Sequence, residues 1–183
     1  MRNPTRSTVP ALLVSATLIS SSLAYANDSI DVDIYQATTE GRGDALGAVT
    51  LEENEHGVLI TTALNGLGPG PHGFHLHENP DCGPATKDGE TTPAGAAGGH
   101  YDPDNTGSHK GPFSTEGHLG DLPRIHVGQE GKSEQTYLVP RLRMDDFRGR
   151  ALVIHQGGDN YADEPQPLGG GGARVACGVV SGQ

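Results

Sequence analysis

No stretch of this chain sustains a helical period. Apolar and polar residues alternate instead in short runs of strand length, separated by turn formers. Residues 29–36 (SIDVDIYQ) alternate with period two, as do 48–53 (AVTLEE) and 58–64 (VLITTAL), with Asn54, Glu55, His56 and Gly57 as the hairpin turn between the last two. Five further runs, 73–78, 124–128, 135–139, 151–155 and 175–180, bring the expected strands to about eight, and only 144–148 reads as a single helical turn. With 28 glycines and 13 prolines among 183 residues, no tryptophan and 3 phenylalanines, the chain lacks the long elements and aromatic anchors of a helical bundle. The pattern predicts one all-β antiparallel domain, a sandwich or a barrel.

Charge narrows the partners. Lys and Arg number 12 against 23 Asp and Glu, a formal charge of −11. Nucleic acid is excluded because binding it needs a basic footprint, and adsorption to anionic lipid is disfavoured for the same reason. The basic residues Arg2 and Arg6, a mildly apolar stretch over 10–23 and the small-x-small triplet Ala24-Tyr25-Ala26 read as a signal peptide over 1–26. The stretch is too short and too rich in Ser and Thr for a membrane anchor, so no membrane attachment is expected after cleavage. The mature domain is then 27–183, without Arg2 and Arg6. An exported chain with two cysteines suggests one disulfide, and Cys82 with Cys177 is the one intramolecular pairing available. Two free buried thiols are the competing reading.

Two segments interrupt the strand rhythm. Residues 79–123 offer only Phe113, Leu119 and Leu122 as large aliphatic or Phe anchors, and residues 156–173 end in four glycines, Gly169 to Gly172. So little apolar surface cannot offset the ordering entropy of loops this long. Metal ions and the disulfide are the expected supports.

The nine histidines supply candidate ligands. His75 and His77 sit at i and i+2 of a predicted strand and project to one face. His100, His109 and His118 follow at even spacing, then Asp121, and His155 ends another predicted strand. Imidazole suits copper and zinc, and three histidines with one carboxylate suit tetrahedral zinc. His56, in a turn, reads as solvated, His72 as a packing or hydrogen-bonding residue, and His126 as cross-strand or exposed.

GFHLHENPDC (73–82), AGGHYDP (97–103), GSHKGP (107–112), GHLGDLP (117–123) and GGGGARVACGV (169–179) together resemble the copper–zinc superoxide dismutase family, over nearly all of the mature chain. The HENPDC stretch and the segment around GGDN and GGGGARVACG resemble its bacterial periplasmic branch. The resemblance implies an eight-stranded antiparallel Greek-key β-barrel with an immunoglobulin-like sandwich architecture and two long functional loops. It implies dismutation of superoxide to oxygen and hydrogen peroxide, by a redox-cycling copper bridged through a histidine to a structural zinc. On this basis copper takes His75, His77, His100 and His155, and zinc takes His100, His109, His118 and Asp121. His100 is then the shared and catalytic imidazole, Asp159 a carboxylate bonded to ligands of both metals, and Arg174 the anion-guiding catalytic arginine. Cys82 and Cys177 match the family disulfide. Lys87, in a charged loop, is a candidate for steering the substrate or a plain solvated charge, and the place of Lys110 relative to the channel is not readable. A homodimer is compatible with the family. A non-catalytic metal carrier would have lost a copper ligand or the arginine, and a zinc hydrolase would need an open metal position with a general base.

Overall fold

The computed structural model describes residues 29–182, so the signal peptide read at 1–26 lies outside the described residues. Eleven strands occur in chain order among the described residues. β1 (Ser29–Thr38), β2 (Gly41–Asn54) and β3 (Gly57–Asn65) form a meander. The short strands β4 (Gly70–His72), β5 (Phe74–His77), β6 (Ala85–Lys87), β7 (Glu90–Thr92) and β8 (Ile125–Val127) follow. The chain closes with β9 (Lys132–Val139), a single helical turn α1 (Met144–Phe147), β10 (Arg150–His155) and β11 (Arg174–Val180). All eight strands read from the alternation are present, and the three additional ones are only three residues long.

Seven strands make one antiparallel sheet in the order β5-β10-β11-β1-β2-β3-β9, while β4 pairs with β8 and β6 with β7. The chain leaves β3 for β5 at the opposite edge, then returns from β9 beside β3 to β10 beside β5. These long exchanges between edges are the Greek-key connections of a curled sheet. Inside the curl lie Val32, Ile34, Val49, Leu51, Ile60, Phe74, Leu76, Leu152 and Ile154, all at 1% exposure or less. They are alternate residues of their strands, so Asp31 and Asp33 of β1 point outward. Each such side chain contributes about 1.5–3 kcal/mol by leaving water.

Strand β10 departs from strict alternation, because its outward Ala151 and Val153 are also buried. They pack with Ala94, Ala97 and Cys177 in a second small cluster, to which Cys82 adds. The turn at 94–97 therefore lies on the outer face of β10 and β11, and the disulfide Cys82–Cys177 fastens it there. Of the anchors expected in 79–123, Leu122 is fully buried and Leu119 is packed against the core. Phe113 is 72% exposed and anchors nothing, so the segment depends more heavily on polar supports than its composition suggested.

Candidate metal centre

β5 places Phe74 and Leu76 in the core, which turns His75 and His77 to its other face. Its free edge is completed by the 100–121 segment: Tyr101 N–H donates to Leu76 O at 2.8 Å and Leu76 N–H to Gly120 O at 2.9 Å. Isolated bridges then set His77 opposite His100 and His75 opposite Asp121. His155 arrives from the end of β10, at an irregularity in the β10–β11 ladder that brings it opposite Arg174. One ligand atom from each of His75, His77, His100 and His155 falls within 4.8 Å of the others, and the same holds for His100, His109, His118 and Asp121.

Hydrogen bonds decide which ring nitrogen each histidine presents. His77 Nδ1–H donates to Gly98 O at 2.9 Å, His155 Nδ1–H to Gly172 O at 3.1 Å, and His75 Nε2–H to Asp159 Oδ2 at 2.9 Å. What remains are His77 Nε2, His155 Nε2 and His75 Nδ1, which with His100 Nε2 are buried and have no hydrogen-bond partner among the described residues. Four orphaned lone pairs in one place carry a desolvation cost that a bound cation removes. Burial, reinforced by mutual repulsion with His100, holds His75 and His77 well below the ordinary imidazole pKa, and burial brings His155 down to about 4. The donor set is thus neutral and suits copper.

The second set is organised around one oxygen. Asp121 Oδ1 lies 2.9 Å from His100 Nδ1, 3.0 Å from His109 Nδ1 and 3.1 Å from His118 Nδ1. The His109 atom, though that close, makes no hydrogen bond. Tetrahedral zinc with bonds of about 2.0–2.1 Å spaces its ligand atoms about 3.3 Å apart, so this N3O set fits it. Asp121 Oδ2 accepts N–H groups of Lys110 and Gly111 at 3.0 and 3.2 Å. Burial opposes ionisation of Asp121, but the three imidazoles around it, His100, His109 and His118, outweigh it and hold its pKa far below the carboxylate range. For His109, burial is likewise outweighed, by Asp121 and Asp159, and its pKa rises to about 9.

Asp159 joins the two sets: besides His75, it accepts His109 Nε2–H on Oδ1 at 2.8 Å. Arg174 is half-buried, its Nη1 donating to Ala94 O and its Nη2 to Gly98 O, both at 2.7 Å. Gly98 O therefore receives both His77 and Arg174, and the turn pinned by the disulfide fixes the arginine relative to the copper-type set.

The family model for copper/zinc superoxide dismutase matches residues 45–180. The chain belongs to that family. Superoxide dismutase [Cu-Zn] 1 of Salmonella typhimurium is 50% identical over 169 residues, 92% of this chain and 95% of the relative. The solved copper/zinc superoxide dismutase from Brucella abortus is 49% identical with a TM-score of 0.81, covering 84% of this chain and 99% of that one. The solution structure of the monomeric copper, zinc superoxide dismutase from Salmonella enterica gives 49% and 0.75, over 83% and 99%. The chain is a superoxide dismutase that uses copper and zinc, an oxidoreductase with superoxide as its substrate.

Other residues singled out in the sequence fall outside the dismutase centre. Lys87 is exposed on β6 opposite Glu90, and Lys110 Nζ lies 3.9 Å from Glu116 on the surface. His56 and His126 are exposed. His72 is buried between two backbone carbonyls, Gly68 O and His155 O, so it braces the strand end that carries His155. Sequence reasoning missed Asp163, whose carboxylate accepts the His109 and Leu168 N–H groups. It also missed Arg141, which donates to the Gly117 and His118 carbonyls. Neither has a sequence signal, because both act on backbone atoms, which side-chain identity does not reveal.

Proposed function

We propose that His75, His77, His100 and His155 hold copper, that His100, His109, His118 and Asp121 hold zinc, and that His100 serves both. The observation that supports this best is the set of unpartnered nitrogens. The copper-facing atoms lack partners among the described residues, while the zinc-facing atoms crowd a single carboxylate oxygen. Copper, when bound, supplies the one-electron exchange in both directions, and zinc adds charge without redox activity. His100 then holds and releases a proton at Nε2, the atom facing the copper set. Asp159 keeps His75 and His109 in the required tautomers by accepting from both Nε2 atoms. Arg174, with a permanent charge, orients the anionic substrate beside the copper set. Lys87 and Lys110 are the alternative steering charges.

Residues 1–26 act as a signal peptide, and the mature domain 27–183 works in the periplasm as an antioxidant outside the cytoplasm. The disulfide supports an oxidising compartment. The solved Salmonella enterica relative is described as monomeric, which favours a monomer over a homodimer. Sedimentation of the mature protein separates these two states. The site assignment is tested by metal analysis of the loaded mature protein with a superoxide-decay assay. One copper and one zinc per chain with rapid decay are expected, whereas zinc alone without activity contradicts it.

A further inference from the structure

Asp159 is carried by a loop with almost no apolar support of its own. Between 156 and 173 the only large hydrophobic side chains are Tyr161 and Leu168, and Leu168 is 43% exposed. Tyr161 has φ of +62°, the left-handed region that a bulky residue enters only when its surroundings dictate it. Here they do. Tyr161 N–H donates to Asp159 Oδ1 at 2.7 Å, and its Oη accepts the Arg124 N–H at 3.2 Å. Its ring lies so close over Gly111 that a Cβ there would come within 2.6 Å of Cγ. The Arg124 guanidinium sits 5.5 Å from the ring centroid and donates from Nη1 to Asp159 O at 2.7 Å.

Arg124 and Tyr161 thus hold the Asp159 residue by its side chain and by its carbonyl. The same ring rests on Gly111, whose N–H donates to Asp121 Oδ2. One aromatic side chain therefore stands next to the supports of both buried carboxylates of the centre. We propose that Arg124 and Tyr161 are positioning residues: they fix Asp159 so that it presents His109 Nδ1 to zinc, and so set the zinc affinity. Arg124 itself is exposed and belongs to none of the three clusters among the described residues that could hold a metal. The proposal rests on the zinc assignment above.

Chelator competition on the zinc-loaded mature protein tests it. Arg124→Ala is expected to weaken zinc about tenfold, within the range for partners that orient a ligand. In an Asp159→Asn background the same change should add less than about twofold, because the residue through which Arg124 acts has already lost its hold on His109. Tyr161→Phe, which keeps the ring and removes only the Oη acceptor, should weaken zinc by about threefold. Wild-type zinc affinity in both Arg124→Ala and Tyr161→Phe overturns the proposal. So does an equal tenfold loss with and without Asp159. A lower melting temperature of the metal-free Arg124→Ala protein with unchanged zinc affinity also overturns it, since that is what a merely structural arginine would give. His109→Ala separates the two readings: if it keeps wild-type zinc affinity the ligand assignment fails, and if it loses zinc while Arg124→Ala does not, only the clamp fails.

Discussion

At Gly169 the absence of one carbon protects the centre. A Cβ there would lie 2.0 Å from Asp159 Oδ1 and 2.9 Å from His109 Nε2, and φ is +69°. Gly169→Ala is therefore expected to displace Asp159 and lower zinc affinity at least about tenfold, although residue 169 offers no ligand. Gly89→Ala is the matched control: φ is +84° but nothing lies within 4 Å, so it should cost about 1 kcal/mol of stability and leave metal content unchanged. Metal retention after dialysis against a chelator reads both. Arg174 gives the second prediction at this scale. The chain is acidic and its substrate is an anion, so fast encounter needs a local positive field. Field focusing of this kind raises on-rates by about 10–10³-fold, a range to which superoxide dismutases themselves contributed. Arg174→Glu should lower the bimolecular rate at least about tenfold with copper and zinc content unchanged, and added salt should then no longer slow the reaction. A variant with the wild-type rate and salt response would transfer the steering role to Lys87 and Lys110.

The 79–123 segment is two supports joined end to end. Residues up to Gly98 are fastened by the disulfide, by Ala94 and Ala97 against β10, and by the Asn79 N–H to Ala97 O bond at 3.0 Å. From His100 to Asp121 the segment is completed by the zinc-type ligands and its bonds to β5. Removal of metal from the oxidised protein should therefore raise hydrogen exchange and protease cleavage first in 100–121, with 79–98 following only after reduction. Simultaneous opening of both halves on metal removal would contradict this division. Strands such as β1 and β3 were legible because mainly one face is buried and period two follows, whereas β5 and β10, buried on both faces, read as short apolar runs. β6 and β7 were not legible, because Ala85-Thr86-Lys87 and Glu90-Thr91-Thr92 bury no face, although the turn Asp88-Gly89 between them, both with positive φ, is a hairpin signal. The same holds at the centre. His75 and His77 could be paired from their spacing alone. The Gly98 and Gly172 carbonyls that choose the tautomers of His77 and His155 could not, because backbone acceptors leave no trace in side-chain identity. Tyr161 was invisible as well, since a left-handed tyrosine has no sequence signature.

At the level of the whole molecule, the first described strand lies between β2 and the last strand, and the disulfide closes a further link across 95 residues of chain. In the chain-entropy view a loop of that length contributes about 4–5 kcal/mol by restricting the unfolded state. Without metal, the buried histidines make the fold sensitive to acid. His75, His77, His100 and His155 have folded pKa values below the unfolded 6.5, chiefly through burial, so they disfavour the folded state as pH falls below 6.5. For His155, falling to about 4, that is a loss of about 3 kcal/mol. His109, raised to about 9, has the opposite sign: its contribution is complete below 6.5 and is lost between there and 9. The urea midpoint of the metal-free protein should thus fall from pH 6.5 toward 4, and a flat profile across that interval would contradict the burial of neutral imidazoles. Metal ions would remove much of this penalty by occupying the same lone pairs. The joining of the two sets through one imidazole is the claim on which the account depends. Its most direct test is His100→Ala, assayed for superoxide decay after full copper loading and for zinc affinity by competition. Loss of dismutation together with weakened zinc binding is predicted, and near-normal turnover of the copper-loaded variant would contradict it.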